Sequence, residues 1–137
     1  QYGIGQTHKH LKEMKSITDT HSAPLFCPIV SDFYSGMEVT VPLFGKAFSL
    51  TPDKLAECYA SYYQEGLIRF LPNADESGFL SAGAFSGLDT MQITVAGNED
   101  RILLVARFDN LGKGASGAAI QNMNIAIGAC PVKGLVL

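Results

Sequence analysis

At 137 residues the chain is the size of one domain and long enough to bury about two-thirds of its unfolded surface. Hydrophobic residues make up 47% and charged residues 17%, which excludes a disordered chain. The net charge of -3 leaves no basic patch for nucleic acid or an anionic membrane, and no apolar run approaches the roughly 18 residues needed to span a bilayer.

Taken in chain order, residues from Thr7 to about Met14 read as a short helical turn carrying His10 and Glu13 on one face. Leu25 to Val30 is a short apolar run interrupted by Pro28, expected as a strand with an irregular edge. Ser31 to Gly36 is turn-like. Met37, Val39, Val41 and Leu43 alternate with Glu38 and Thr40, the period of a half-buried strand, and Pro42 places it near an edge or at its end. Thr51-Pro52 opens the clearest helix, with Leu55, Cys58, Tyr59, Tyr62 and Tyr63 as its apolar stripe and Gly66 as its C-cap. Leu67 to Leu71 is the next strand, and Asp75 to Gly87 a loop. Met91 to Ala96 and Arg101 to Phe108 are strands joined by a hairpin turn, Gly97-Asn98-Glu99-Asp100. A final helix runs from about Lys113 to Ile127. Helix, strands, helix, strands, helix is an α+β order: a mixed, mostly antiparallel sheet with helices packed on one face.

The final helix is built oddly. Gly114 and Gly117 each cost about 1 kcal/mol relative to Ala in a helix interior, so something should offset that loss. With Gln121 and Asn124 they form a bare, polar side where a backbone or a ligand could come close. Ala115, Ala119, Met123 and Ala126 lie on another side, suited to core packing.

The run from Asp109 to Asn124 resembles the C-terminal signature of N-acetyl-gamma-glutamyl-phosphate reductases, Asp-Asn-Leu-x-Lys-Gly-Ala-x-Gly-x-Ala-x-Gln-x-x-Asn, with Gly112 where the family often has Val or Leu. Near the other end, Tyr2 followed by His8-Lys9-His10-Leu11-Lys12-Glu13-Met14 is similar to the family's Tyr and His-Arg-His-x-Pro-Glu-Ile. Lys9, Lys12 and Met14 depart from that pattern, while the residues it implies touch substrate, Tyr2, His8, His10 and Glu13, are all present. The resemblance thus covers essentially the whole chain, with its diagnostic residues at the two ends.

The resemblance implies reduction of an acyl phosphate to an aldehyde with NADPH. A cysteine thiolate attacks, phosphate leaves, and a histidine serves as general acid/base, work that suits imidazole chemistry. By the same resemblance His8 is the acid/base, and Tyr2, His10 and Glu13 hold the substrate, the Glu13 carboxylate supporting His10 in its charged form. Asn110, Gly114 and Gly117 contact NADP, whose remaining contacts belong to a separate cofactor domain. The helix N-terminus there is expected to present free N–H groups and partial positive charge; on a purely structural reading Asn110 caps the helix and the glycines permit close packing. Residues 1–137 then form one C-terminal substrate and dimerisation domain, with 110–128 as the terminal helix facing the absent cofactor domain. The implied protein is a cytoplasmic homo-oligomer of arginine biosynthesis.

Other readings are weaker. His8-x-His10 with His21 lacks the acidic or Cys cluster of a metal site, so none is expected. Gly3-Ile4-Gly5 lacks the context of a dinucleotide loop. Cys27, Cys58 and Cys130 have neither zinc-site nor disulfide spacing, and none fits the family's Gly-Cys-Tyr-Pro-Thr nucleophile motif. Cys27 in an apolar run and Cys58 on a helix's apolar stripe are expected as reduced, buried packing. Without a nucleophile or nucleotide loop, and opening on Gln1, the chain reads as a piece of a longer enzyme, inactive alone. The alternatives are a non-catalytic dimerisation module using a sheet face, or part of another acyl-phosphate or semialdehyde dehydrogenase.

Overall fold

The computed structural model describes residues 1–137, which fall into two compact units, Gln1–Asp32 and Phe33–Leu137. In the first unit, helix α1 spans Lys9–Thr18 and buries Leu11. It runs a turn beyond the expected Met14 because no Gly or Pro interrupts Lys15 to Thr18; Asp19, at φ 51°, ends it in the left-handed conformation. The strand expected at Leu25 to Val30 is absent. Pro24 and Pro28 each remove a backbone donor, so the run cannot sustain a ladder. It is instead tied to residues near the N-terminus, where the Tyr2 N–H donates to the Pro28 carbonyl at 3.1 Å.

The second unit holds β1 (Met37–Phe44), the short helix α2 (Gly45–Phe48), α3 (Pro52–Tyr62), β2 (Ile68–Phe70), β3 (Met91–Gly97), β4 (Arg101–Phe108), a π-helical turn (Gly112–Ser116) and α4 (Gly117–Ala126). The strands form one mixed sheet in the order β1-β4-β3-β2. β1 and β3 both run antiparallel to β4, and β2 runs parallel to β3. Pro42 is tolerated because β1 is an edge strand, as its position required. The β3–β4 hairpin turns where the sequence placed it. Gly97 has φ +104°, where a Cβ would collide with the Arg101 carbonyl, and Asn98 Oδ1 accepts the N–H groups of Asp100 and Arg101 at 3.1 and 2.9 Å.

Register assigns the faces. Cross-strand partners share a side, so Val39 and Val41 lie with Ala106, Leu104, Ile93 and Val95 on one face, which also carries Ile68 and Phe70. The helices pack on that face: Tyr59 of α3 stacks on Phe70 with ring centroids 6.1 Å apart, and Gly114 lies over Phe108. Glu38, Gln92, Thr94, Val105 and Arg107 point the other way. There the loop before β3 is held by buried Arg107, which donates to Gln92 Oε1, Glu76 Oε1 and the Ser81 carbonyl and lies under the Phe85 ring. Ile102 and Val105 of the inner strand β4 are the most buried side chains, one on each face.

Three details differ from expectation. The α3 cap forms, with Thr51 Oγ1 accepting the Lys54 N–H at 3.3 Å, but only Leu55, Tyr59 and Tyr63 of its stripe are half-buried. Cys58 and Tyr62 are exposed, as are Cys27 and Cys130, so the cysteines are not core packing. The helix also closes at Tyr63 rather than Gly66, which turns the chain into β2 at φ +102°.

Candidate functional site

His8 caps α1. With an extended backbone (φ -63°, ψ 141°), its Nδ1 accepts the N–H of His10 at 3.3 Å. An accepting Nδ1 leaves the neutral ring's proton on Nε2, so Nε2 is the nitrogen free to meet another molecule. The imidazole is half-buried among aromatic rings: its centroid lies 4.6 Å from His10, 5.2 Å from Phe26 and 5.8 Å from Tyr2. One helical turn on, Glu13 Oε2 stands 3.7 Å from His10 Nε2. Both groups are exposed, and such a pair adds under about 1 kcal/mol, so it orients His10 more than it stabilises the fold. Tyr2, His8, His10 and Glu13 therefore gather at the start of α1.

Sequence reasoning missed two residues in this cluster. Phe26 lies in the run expected as a strand, and Gln6 stands outside every motif. The Gln6 side chain donates to the Phe26 carbonyl at 2.7 Å and accepts the Phe26 N–H at 2.9 Å. No local pattern could reveal a clamp between segments so far apart in sequence. Nowhere in the chain do three His, Cys, Asp or Glu side chains gather as metal ligands.

In the second unit the signature begins with Asp109, 3% exposed. Its Oδ1 accepts the Leu111 N–H at 2.7 Å, and its Oδ2 accepts the Gly87 N–H and the Ser35 hydroxyl, the latter at 3.2 Å. These partners join the converging ends of β1, β3 and β4 to the start of the helix. Burial pushes the Asp109 carboxyl up, but hydrogen bonds from the Gly87, Leu111 and Gly112 N–H groups and Ser35 outweigh it and hold the pKa below its ordinary value. The helix N-terminus expected to be free for an anion is thus occupied in part by this carboxylate. Asn110 does not cap the helix either: its Oδ1 accepts the Gly36 N–H at 2.8 Å, and the residue is exposed.

The side expected to pack on the core is not the one that turns inward. Gly117 and Asn124 are buried, whereas Ala115, Ala119, Met123 and Ala126 are exposed. A Cβ on Gly117 would collide with the Asp89 carboxylate, and one on exposed Gly114 would lie 3.1 Å from the Phe108 ring. Asn124 Nδ2 donates to the carbonyls of Pro131 and Lys133, at 3.2 and 2.9 Å, and Asp89 Oδ2 accepts the Val136 N–H at 2.9 Å. The bare polar side thus receives the chain's own backbone. Small residues occur on both sides, so periodicity could separate the sides without saying which faces inward.

Residues 1–110 match the family described as semialdehyde dehydrogenase, dimerisation domain. The chain is 44% identical to N-acetyl-gamma-glutamyl-phosphate reductase 2 of Nostoc sp. and 42% identical to the N-acetyl-gamma-glutamyl-phosphate reductase of Trichormus variabilis, matching 93% of this chain and 42% of either relative. The enzyme of that name from Sinorhizobium fredii is 38% identical, over 93% of this chain and 43% of its own length. The chain spans about two fifths of the length of these relatives. No helix is long and apolar enough to cross a membrane. By a match running from the His8 cluster through β4 to Asn110, this chain belongs to the semialdehyde dehydrogenase family, through its dimerisation domain.

Proposed function

We propose that this chain is the acid/base and substrate-holding part of an N-acetyl-gamma-glutamyl-phosphate reductase of arginine biosynthesis. The whole enzyme converts N-acetyl-glutamyl 5-phosphate, NADPH and a proton to N-acetyl-glutamate 5-semialdehyde, NADP and phosphate. The observation that carries this reading is the gathering of His8 with Tyr2 and His10 in ring contact, and of Glu13 beside His10, at one helix start. The names of the relatives support the same reaction.

His8 is the acid/base. Its Nε2–H points away from the cap and donates to the substrate oxygen on which negative charge develops. His10, oriented by Glu13, and the Tyr2 hydroxyl hold the acidic substrate. NADPH would supply the hydride when bound. On this chain Asn110 and Gly114 face it through exposed atoms, since the Asn110 amide nitrogen is not used by the Gly36 bond; Gly117 contributes by letting the helix close on Asp89. Residues 110–128 pack against the cofactor domain, which would cover Ala115, Ala119 and Met123. Residues 1–137 together are the substrate and dimerisation domain. They hold no Gly-Cys-Tyr-Pro-Thr nucleophile motif, so the chain alone does not catalyse the reduction.

The enzyme is a homo-oligomer. Supporting this, Met37, Val39 and Val41 are exposed on the helix-bearing face of the sheet, and α3 lies over β2 and β3. Three exposed thiols suit a reducing compartment, and the enzyme is cytoplasmic. The test is NADPH-dependent reduction of N-acetyl-glutamyl phosphate by the full-length protein beside its His8→Asn variant. Activity that collapses in a folded variant is expected. An inactive parent, or one preferring another acyl phosphate, overturns the assignment; an unimpaired variant removes His8 as acid/base.

A further inference from the structure

Gln6 lies between Gly5 and Thr7 in an exposed turn, where its sequence gives it no task. Its backbone has φ 53°, a conformation that non-glycine residues seldom adopt. In that conformation one side chain satisfies both backbone polar groups of Phe26, donating to the carbonyl at 2.7 Å and accepting from the N–H at 2.9 Å. Phe26 sits in a run with no ladder partner, so this amide does for one residue what a neighbouring strand would do. The ring so fixed is half-buried and lies 5.2 Å from the His8 ring and 6.1 Å from the His10 ring.

We infer that Gln6 is a positioning residue for His8: it fixes Phe26, and the Phe26 ring sets the orientation of the His8 and His10 imidazoles. The inference rests on the reading of His8 as the acid/base. The cap bond to the His10 N–H holds one edge of the His8 ring, at Nδ1. A single hydrogen bond leaves the plane of the ring free to tilt about it, and the tilt decides where Nε2 points. Phe26 packs against that ring and removes the freedom. Proton transfer needs the donor within hydrogen-bond reach of its target, and small displacements of a catalytic group lower the rate steeply.

The experiment uses the full-length enzyme with Gln6→Met, which keeps the side chain's length and loses both hydrogen bonds, and with Phe26→Leu and Phe26→Tyr. Gln6→Met and Phe26→Leu should lower kcat about 10-fold to 100-fold, with KM for NADPH unchanged and the enzyme still folded at the assay temperature. Phe26→Tyr, which keeps the ring, should restore kcat. If Gln6→Met turns over at the parent's rate while His8→Asn is inactive, the inference fails and the reading of His8 stands. If the parent does not reduce N-acetyl-glutamyl phosphate, the functional reading fails, and the positioning is judged by nuclear Overhauser contacts between the Phe26 ring and the His8 imidazole. Their loss in Gln6→Met upholds the positioning, and their persistence overturns it.

Discussion

Burial by itself would make Asp109 a weaker acid, yet its hydrogen bonds hold the carboxyl below the ordinary aspartate range. A carboxyl whose folded pKa is depressed adds stability that is complete above its unfolded value, about 3.9, and is lost as pH falls through the folded value. Asp109→Asn should therefore lower the unfolding free energy by about 2–3 kcal/mol at neutral pH, and the gap to the parent should narrow below about pH 4. Urea unfolding at several pH values measures it, and a gap that stays constant into acid would show that the charge is not what holds the strand ends. The signature made Asp109 visible in the sequence without exposing its task, because its partners Ser35 and Gly87 lie in loops with no pattern of their own. At His8 two roles can be separated. Asn is a good N-cap and Ala is not, so His8→Asn and His8→Ala should both lose at least about 100-fold in kcat, while only His8→Ala loses about 1 kcal/mol of stability. Equal stability of the two variants would argue against the cap.

Elements with a strong period were legible, and those held by distant partners were not. The alternation in β1, the Thr51-Pro52 start of α3 and the β3–β4 hairpin each follow from residues a few positions apart. The run Leu25 to Val30 is apolar enough for a strand, but its prolines and lack of a ladder partner decide otherwise. Across the π-helical turn and the start of α4 the missing Cβ atoms matter unequally. Asp89 fills the space beside Gly117 and is itself tied to Val136, whereas Gly114 meets only the edge of Phe108 and a carbonyl. Gly117→Ala should cost about 1–3 kcal/mol by overpacking. At Gly114 the gain in helix propensity, up to about 1 kcal/mol, opposes a smaller clash, so Gly114→Ala should be the milder change. Chemical denaturation of the two variants checks the order, and its reversal would mean that Asp89 does not pack on the helix.

At the scale of the molecule, what stands out is apolar surface left open: Met37, Val39 and Val41 on the sheet, and Met123, Ile125 and Ile127 at the end of α4. A monomer gains nothing from exposing a contiguous patch of this kind, and in this family of dimerisation domains the sheet patch is expected to meet another copy. Sedimentation of the full-length protein should report an oligomer, and Val41→Glu, which places a charge in the patch, should shift it toward monomer at micromolar concentration. An unchanged mass would remove this part of the face from the interface.

Local chemistry in the sequence was enough to identify the family motifs, the alternating strands, the capped helix and the α+β class, because each depends on spacings of a few residues that survive without coordinates. Tertiary structure decided the strand order β1-β4-β3-β2 with its one parallel pair, the side of α4 that turns inward, the exposure of the cysteines and the clamp of Gln6 on Phe26. Those outcomes depend on which distant segments meet, and hydrogen bonds and excluded volume between such segments have no local period to announce them.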